Sequence, residues 1–454
     1  STSVSYSFDN DTAGTKTVNV WFKDAAGNVS ESVVDTIELL VASAEGTVDW
    51  IRQMGTSSRD YVNDISTDGS GNVYVLVNTE GGIDDNTNAG GKDFFVVKYD
   101  SAGVKQWTQQ LGSSSNEYSK GISTDSSGNV YVTGRTQGAL DGNTNLGDND
   151  VFVVKYDSAG VKQWTQQIAT SFDEGTGGIT TDSSDNLYVV GGTKGSLDGN
   201  SSYWGGRDLF VVKYDSAGVK QWTQQLHSDT EERLEDGGIA TDSSGNIYVT
   251  GVTYGGTGWD GEELLLDGNT NAGEGDIFVV KYDSGGIKQW TQQIGTSNED
   301  YSEGITTDSN GNVYVTGWTE GGLDGNTNGG SADLFVVKYD SDGVKQWTQQ
   351  MGTSYYDYAT SISIDNRNNV YVVGGTKGSL DGNGNAGSWD LFVVKYDSAG
   401  VRQWIKQMGT SYSDGAKGIS IDNSDNIYVA GNTEGGLDNN TNAGDKDLFL
   451  MKLK

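Results

Sequence analysis

The stretch Phe152-Val-Val-Lys-Tyr-Asp-Ser-Ala-Gly-Val-Lys-Gln-Trp-Thr-Gln-Gln167 decides the fold, because it returns along the chain almost unchanged. It joins two short runs of β-favouring residues through the turn Asp157-Ser-Ala-Gly160. One tryptophan marks each copy, and the first copy is divergent: Trp50, Trp107, Trp164, Trp222, Trp290, Trp347 and Trp404. A marker at such regular intervals indicates a chain built from one repeated unit.

A second marker, Asn-(Val/Ile/Leu)-Tyr-Val, also occurs seven times, starting at Asn72, Asn129, Asn186, Asn246, Asn312, Asn369 and Asn426. Within one unit the pattern predicts four strands, A to D, and no helix. In the second unit these lie near Lys120–Thr124, Val130–Thr136, Val151–Tyr156 and Val161–Gln167. A single four-stranded sheet cannot bury both of its faces, whereas a closed ring of sheets can.

The sequence therefore predicts an all-β fold, a seven-bladed β-propeller of four-stranded antiparallel blades. The last unit reaches Lys454 without its own strand D, while an isolated strand D, Thr47-Val-Asp-Trp50, precedes the first unit. We expect the strand around Trp50 to complete the last blade, because that pairing closes the ring and removes two exposed edges.

The units contain the signature D-x-x-G-N-x-Y-V-x-G, as Asp125-Ser-Ser-Gly-Asn-Val-Tyr-Val-Thr-Gly134 and Asp308-Ser-Asn-Gly-Asn-Val-Tyr-Val-Thr-Gly317. In this they resemble the SBBP-type β-propeller repeat family of bacterial proteins, over roughly residues 46–454. The resemblance implies a secreted or surface-displayed propeller. It implies no particular activity, because that family has no single one.

Residues 1–44 do not follow the repeat, so we divide the chain into 1–44 and a propeller over 45–454. The stretches Val18–Ser30 and Val33–Leu40 resemble the last strands of a bacterial Ig-like domain. Half a β-sandwich leaves open edges. We expect the segment to pack on the propeller or to pair with another chain, which would allow self-association. We also expect the chain to be a fragment of a longer, exported protein.

Charge narrows the choice of partners. The chain has 63 acidic and 29 basic residues, a net charge of −34, which disfavours nucleic acid and anionic lipid as ligands. It has no cysteine, and so no disulfide framework and no thiol chemistry. No apolar run is long enough to insert in a membrane. The remaining partners are cations, carbohydrate or another surface protein, with an extracellular or cell-surface location on a bacterium.

The connection between strands B and C repeats the pattern D-x-N-x-N, followed by a closing Asp. Oxygen-bearing side chains at alternate positions are typical of calcium loops. This predicts calcium ligands in six copies: Asp84, Asn86, Asn88, Asp93; Asp141, Asn143, Asn145, Asp150; Asp267, Asn269, Asn271, Asp276; Asp324, Asn326, Asn328, Asp333; Asp381, Asn383, Asn385, Asp390; and Asp438, Asn440, Asn442, Asp447. The third copy, Asp198–Asp208, has lost the second Asn, and we expect it to be empty. The alternative is that these side chains only cap turns.

A ring of acidic residues is predicted where strand D connects to the next strand A: Asp60, Glu117, Glu174, Glu235, Asp300, Asp357 and Asp414. Two interpretations are open, a solvated acidic rim or a functional ring that binds cations.

Several aromatic residues depart from the repeat, and they collect in one sector of the ring. We identify Trp204, Trp259, Trp318 and Trp389 on or near B–C connections, and Tyr355, Tyr356, Tyr358 and Tyr412 in D–A connections. Aromatic faces beside Asp and Asn suit sugar rings and protein hot spots. The alternative is packing between long loops. The repeated tryptophans of strand D are expected to fill gaps between blades instead.

Catalysis is not predicted. The chain has one histidine, His227, so it can form no histidine-based metal cluster, and a Ser-His-Asp set would depend on that single imidazole. The carboxylates that a glycosidase would use recur in every blade, whereas an active site should depart from the repeat. Two functions remain: an adhesin-like or lectin-like binding module with calcium-stabilised loops, and a structural spacer of a surface layer or filament.

Overall fold

Seven four-stranded antiparallel sheets, each with its strands in the order A, B, C and D, make up the repeat region. This computed structural model describes residues 14–20, 33–39, 45–199, 206–226, 231–257, 263–264 and 266–454. The chain divides into two units, one of Ser1–Thr47 with Lys454 and one of Val48–Leu453. In the first unit, Gly14–Val20 pairs antiparallel with Val33–Leu39.

The strands recur with nearly constant length. Strand A comprises Asp60–Thr67, Glu117–Thr124, Glu174–Thr181, Glu231–Thr241, Asp300–Thr307, Asp357–Ile364 and Asp414–Ile421. Strand B comprises Val73–Thr79, Val130–Thr136, Leu187–Thr193, Ile247–Tyr254, Val313–Thr319, Val370–Thr376 and Ile427–Thr433. Strand C comprises Asp93–Tyr99, Asp150–Tyr156, Asp208–Tyr214, Gly275–Tyr282, Asp333–Tyr339, Asp390–Tyr396 and Asp447–Leu453. Strand D comprises Lys105–Leu111, Lys162–Ile168, Lys220–Leu226, Lys288–Ile294, Lys345–Met351, Arg402–Met408 and Val48–Met54.

Short elements occur only in B–C connections of the described chain. They are the 3-10 turns Leu140–Gly142, Leu323–Gly325, Leu380–Gly382 and Leu437–Asn439, and a small pair of strands, Gly256–Thr257 with Glu263–Leu264.

The ring closes as the sequence predicts. Val48–Met54 pairs antiparallel with Asp447–Leu453, so the seventh blade takes its strand D from the start of the repeat region. The two middle strands of every blade are almost fully buried, because each packs against both neighbouring blades. One hydrophobic cluster joins the seventh blade to the first, with Tyr428 and Leu450 packing against Val75 and Phe95.

The repeat signature is a hydrogen-bonded turn. Oδ1 of Asp125 accepts hydrogen bonds from the backbone N–H groups of Ser127 and Asn129, and its Oδ2 accepts from the Asn129 amide and the Tyr131 hydroxyl. Gly128 has a φ of 74°, which favours glycine. The Asp, Gly, Asn and Tyr of the signature therefore fix the A–B turn to the blade core.

The repeated tryptophans lie between blades, which confirms their predicted role. The Trp107 ring is 3.0 Å from the position that a Cβ would occupy on Gly160, in the C–D turn of the next blade. Its indole N–H donates to the Ser158 carbonyl of the same turn, at 3.3 Å. The same stacking against a glycine occurs for Trp50, Trp164, Trp222, Trp290 and Trp347.

Candidate functional site

Three positions near the start of strand A vary from blade to blade. The first is the residue that follows the acid near the start of strand A, which is Glu232 in the fourth blade: Tyr61, Tyr118, Gly175, Arg233, Tyr301, Tyr358 and Gly415. The second is its pairing partner on strand B: Asn78, Arg135, Gly192, Val252, Trp318, Gly375 and Asn432. The third precedes the first Asp of strand C: Lys92, Asn149, Arg207, Gly275, Ala332, Trp389 and Lys446.

These positions belong to one continuous surface. The backbone N–H that starts strand A bonds to the carbonyl of the third position in the preceding blade, as in Asp414 to Trp389, at 2.9 Å. Side chains meet there as well, because Lys446 of the last blade lies 5.2 Å from the ring centroid of Tyr61 in the first. The residues that vary between units therefore lie together on one surface that neighbouring blades share. A binding surface is expected to consist of such variable residues.

Aromatic rings form a ladder across the fifth and sixth blades. Tyr301 stacks on Trp318 with their centroids 4.4 Å apart, and Trp318 contacts Tyr358 at 5.1 Å. Tyr358 contacts Trp389 at 5.5 Å and Tyr356 at 5.7 Å. Burial in this ladder raises the pKa of Tyr358 to about 12, so its phenol is neutral at physiological pH.

A lysine and two residues of the fourth blade extend the ladder. Lys377 lies 4.9 Å from the Trp389 centroid and 5.2 Å from that of Tyr356, as a cation over aromatic faces. At the other end the hydroxyls of Tyr254 and Tyr301 are hydrogen-bonded, and Arg233 lies 4.7 Å from the Tyr254 centroid. The rings are thus held in place before any ligand arrives.

The ladder ends at a pocket in the seventh blade, which has Gly415 where the fifth and sixth have tyrosine. A Cβ on Gly415 would meet no atom within 4 Å, so the space is open. The pocket has a volume of about 400 Å³. Its aromatic walls are Tyr61, Tyr358 and Trp389, and its polar lining includes Ser413, Asp414, Lys417, Asn432, Glu434 and Lys446.

The charges of this pocket are partly neutralised. Lys446 forms an ion pair with Glu434 at 3.4 Å. Asp414 is buried and accepts hydrogen bonds from the backbone N–H and hydroxyl of Thr410. Lys417 is exposed and forms no ion pair within the described part of the chain. The pocket therefore offers apolar ring faces with a mixed polar rim, rather than one concentrated charge.

The structure brings together some of the aromatic residues that the sequence singled out. Trp318, Tyr356, Tyr358 and Trp389 belong to the ladder, and Trp318 lies within strand B rather than in a connection. Tyr355 and Tyr412 are 57% and 58% exposed and take no part in the ladder's ring contacts. The predictions for Trp204, Trp259 and His227 fall outside the described residues.

Sequence reasoning missed Tyr61, Tyr254, Tyr301, Lys377 and Gly415. The first four look ordinary in one unit, and a glycine attracts no notice among 67. Aligning the seven units on their signature would have found Tyr61, Tyr301 and Gly415, because all three occupy one variable position.

The first Asp of six B–C motifs makes contacts within its own blade. The Asp84 carboxylate pairs with Lys105 at 2.5 Å and accepts from the Thr108 hydroxyl at 2.6 Å. Equivalent pairs involve Asp141, Asp198, Asp267, Asp324 and Asp381. The first Asn donates its amide to the carbonyl of the preceding turn, as Asn86 does to Ile83 at 2.9 Å. These contacts are the ones the turn interpretation predicts, and calcium in the loops stays a prediction.

The closing Asp of each motif lies elsewhere, buried at the start of strand C. Oδ2 of Asp276 accepts from the Ala272 N–H at 2.8 Å and the Gln293 amide at 2.9 Å. Its Oδ1 is buried and makes no hydrogen bond within the described chain, and the same holds for Asp93, Asp333, Asp390 and Asp447. No cluster of three or more His, Cys, Asp or Glu suited to a metal occurs among the described residues.

The acidic ring is not a solvated rim, and that interpretation was wrong. Asp60, Glu117, Glu174, Asp300 and Asp357 have no exposed surface. The carboxylate folds back onto the residue four positions earlier, as Asp357 accepts from the N–H and hydroxyl of Thr353. In the fourth blade the ring position belongs to Glu232, which pairs with Thr253, and not to Glu235, because strand A there contains two extra residues.

Asp60, Glu174, Asp300 and Asp357 each lie close to the closing Asp of the preceding blade. A Cβ on Gly55 would lie 2.3 Å from Oδ1 of Asp447 and 3.1 Å from Oδ2 of Asp60, so both carboxylates approach the same point. Burial raises the pKa of Asp60, Asp300 and Asp357, and the charge of the facing Asp adds to the shift. Buried carboxylate pairs of this kind favour a bound proton or cation.

A central channel of about 310 Å³ is lined by the fourth and fifth residues of strand A. Lys120, Glu303 and Lys417 supply charges, and most blades have glycine at the fifth position. Asp64 replaces that glycine in the first blade. Although part of the residue faces the channel, protein surrounds its carboxylate and burial raises its pKa to about 6.

Within the described ranges no helix is long and apolar enough to cross a membrane.

Comparison with known proteins identifies the repeat. SBBP segments, described as beta-propeller repeat, are found in six places: residues 49–88, 106–140, 221–256, 289–324, 346–381 and 403–438. A WD repeat-containing protein of Acanthamoeba polyphaga mimivirus is 22% identical over 507 residues, covering 86% of this chain and 36% of that protein. The regulatory protein FlaEY of Caulobacter vibrioides is 25% identical over 211 residues, covering 43% of this chain.

The chain spans 36% and 22% of the lengths of these two relatives. Among solved structures, an ulvan lyase of polysaccharide lyase family PL25 superposes with a TM-score of 0.48 at 12% identity. That alignment covers 88% of this chain and 95% of the lyase.

Proposed function

We propose that this SBBP-repeat propeller is a non-catalytic binding protein that takes carbohydrate in the Gly415 pocket. The observation that carries the proposal is the end of the aromatic ladder at Trp389 and Tyr358, beside a space that Gly415 leaves open. The blades share one pattern of strands and turns, so a pocket lined by residues that depart from that pattern is of the kind that a specific ligand requires.

The chemistry of the pocket suits a sugar ring. The C–H face of a pyranose packs on flat aromatic surfaces, and its hydroxyls need donors and acceptors at the edge of the same site. Trp389 and Tyr358 supply the surface, while Asn432 and Ser413 supply polar groups. A volume near 400 Å³ lies within the range of small-ligand pockets, about 300–1,000 Å³.

We infer a neutral glycan rather than a polyanion. The net charge of −34 repels a heavily sulfated or uronate-rich chain, and Glu434 neutralises Lys446 within the pocket. Binding should then change little between low and high salt, because screening acts on charged contacts and not on stacking. A steep loss of affinity with added salt would contradict this choice of ligand.

A glycan microarray followed by calorimetric titration of the best ligand tests the proposal. Trp389→Ala should abolish saturable binding, because it removes one aromatic wall. Tyr412→Ala is the matched control, since it removes an exposed aromatic side chain that takes no part in the ladder, and it should bind like the wild type. Equal affinity of Trp389→Ala and wild type, or no saturable binding by wild type, refutes the proposal.

The second candidate function is a structural spacer of a surface layer or filament. The repetition of the same four strands and turns in all seven blades favours it. A spacer gives no saturable glycan signal but forms assemblies as its concentration rises. Analytical ultracentrifugation over a wide concentration range therefore separates it from a monomeric binding protein.

A glycoside-active enzyme is the third and weakest candidate. Glu434 pairs with Lys446, and Asp414 is buried with its Oδ2 accepting from Thr410, although its Oδ1 makes no hydrogen bond in the described chain. We therefore propose binding without turnover. Release of new reducing ends from a bound oligosaccharide, lost in Glu434→Gln, would establish catalysis instead.

The extracellular or cell-surface location and an adhesive role are further parts of the proposal, and the resemblance to SBBP-type propellers supports them. Fractionation of the source cells with an antibody to the chain tests the location. Signal in the cytosolic fraction alone would contradict it.

A further inference from the structure

The Gly415 pocket adjoins a second cavity at the junction between the seventh and first blades. This second cavity, the Arg59 cavity, has a volume of about 520 Å³ and is lined by Arg59, Tyr61, Glu434, Asp445 and Lys446. Three of these residues, Tyr61, Glu434 and Lys446, also line the Gly415 pocket. The two spaces therefore meet along these side chains, and together they cross the seventh blade.

The charges of the Arg59 cavity balance one another. Arg59 forms an ion pair with Asp445 at 3.4 Å, and Lys446 forms one with Glu434 at 3.4 Å. The side chains of Arg59 and Asp445 are 57% and 74% exposed, so a ligand can reach both. A hydroxyl group both donates and accepts hydrogen bonds. Two cations beside two carboxylates therefore suit the hydroxyl groups of a neutral sugar better than they suit an anion.

Contacts between the two blades hold the Arg59 cavity in shape. The Asp60 N–H donates to the Lys446 carbonyl at 3.0 Å, and the Glu80 N–H donates to the Arg59 carbonyl at 3.4 Å. The Lys446 ammonium lies 5.2 Å from the centroid of the Tyr61 ring. A cavity whose walls are already in place loses less conformational entropy when a ligand binds.

The next junction, between the first and second blades, has no equivalent of the Arg59–Asp445 ion pair. The residues at the corresponding positions are Asn116 and Gly91, which are uncharged. The other contacts do recur there, because Lys92 lies 3.6 Å from an acid and 5.4 Å from the centroid of a tyrosine ring. The charged pair is thus a departure from the repeat, and it lies beside the pocket that also departs from it.

We propose that the glycan lies across both spaces, so that the protein binds a chain of two or more sugar rings. One ring stacks on Trp389 and Tyr358 in the Gly415 pocket, and the next ring places its hydroxyl groups between Arg59 and Asp445. Tyr61 lies between the two subsites and contacts both rings. This inference rests on the proposed function and narrows its ligand to a neutral oligosaccharide.

Calorimetric titration with a series of chain lengths tests the proposal. The probe is the neutral glycan selected by the array, prepared as the methyl glycoside of one ring and as chains of two, three and four rings. Affinity should rise about tenfold from one ring to two or three, the equivalent of one or two further hydrogen bonds, and should then level off. Equal affinity for one ring and for longer chains would overturn the extended site and leave the Gly415 pocket as the whole site. Failure of every length to bind would overturn both.

One variant locates the additional ring. Arg59→Ala should weaken the binding of the longer chains about three- to tenfold and leave the affinity for the single ring unchanged. Trp389→Ala should abolish binding at every length. Arg367→Ala is the matched control and should bind like the wild type, since Arg367 is also exposed and pairs with Asp425 at 3.9 Å, but it lies in an A–B turn. A gain with chain length that survives in Arg59→Ala would place the further ring elsewhere and refute the proposal.

Discussion

Glycine is required in the C–D turn both for its positive φ and for the close approach of a tryptophan ring. Substitutions at two glycines can separate these effects. Gly160 has a φ of 85°, and a Cβ there would stand 3.0 Å from the Trp107 ring. Gly142, in a B–C connection, has a φ of 78°, but a Cβ there would meet no atom within 4 Å. The first position combines backbone strain with crowding, while the second has backbone strain alone.

Gly142→Ala should therefore lower the free energy of unfolding by about 1–2 kcal/mol, the cost of a left-handed L-residue. Gly160→Ala should lower it by about 2–4 kcal/mol, because the tryptophan must also give way. Urea denaturation followed by tryptophan fluorescence measures both. Equal losses for the two variants would mean that the tryptophan does not pack on the turn as described.

Asp64 predicts a pH dependence of stability. Its pKa is raised to about 6 in the folded protein, above the value near 4 of an unfolded aspartate. The stability that protonation contributes is fully present below about pH 4, and it is lost as the pH rises through about 6. Asp64→Asn should then be more stable than wild type at pH 8, and the difference should vanish near pH 4.

Thermal melts of both proteins across that range check this prediction. Asp84→Asn is the control, because the Lys105 ammonium and the Thr108 hydroxyl lower the pKa of that carboxyl, against the effect of its partial burial. Its substitution should weaken stability at pH 8 rather than improve it. An Asp64→Asn protein that is less stable than wild type at pH 8 would contradict the assignment.

The sequence predicted the positions of the strands more accurately than the structure of the loops. Strand B of the second unit was placed correctly at Val130–Thr136, because its buried run is bounded by a clear turn. Strand A was predicted to begin near Lys120 but begins at Glu117. Its first residues vary from blade to blade, so they lack the regular pattern that identifies a strand.

The acidic ring shows why loops resist such reasoning. An acid between polar residues usually faces solvent. Here the carboxylate instead caps the backbone of its own loop, as Glu117 does for Ser113 at 2.6 Å, and the neighbouring blade then buries it. The local sequence does not show that a residue from another blade will cover this carboxylate.

The closing strand gives a prediction at this scale. A chain that begins at Glu45 keeps Val48–Met54 and should fold as a monomer. A chain that begins at Gly55 leaves the edge of Asp447–Leu453 open, and it should melt at lower temperature and associate through that edge. Size-exclusion chromatography compares the two, and a peptide of residues 45–54 should restore the monomer. Identical behaviour of both chains would refute closure by this strand.

For the whole molecule, the number of blades and the closed ring were predictable, because every unit contains the same strand and turn motifs. The candidate site was predictable only as a sector. Trp318, Tyr356, Tyr358 and Trp389 drew attention as departures from the repeat, but their stacking depends on blade geometry. The decisive feature is the open space at Gly415, which has no side chain. A single glycine in the sequence does not indicate that such a space exists.

The central claim is that the pocket beside Gly415 holds a sugar ring against Trp389. A crystal structure of the protein with the best ligand from the glycan array tests it most directly. We predict a pyranose in van der Waals contact with the Trp389 and Tyr358 rings and hydrogen-bonded to Asn432 or Ser413. A sugar bound on another surface, with the Gly415 pocket holding only solvent, would contradict the account.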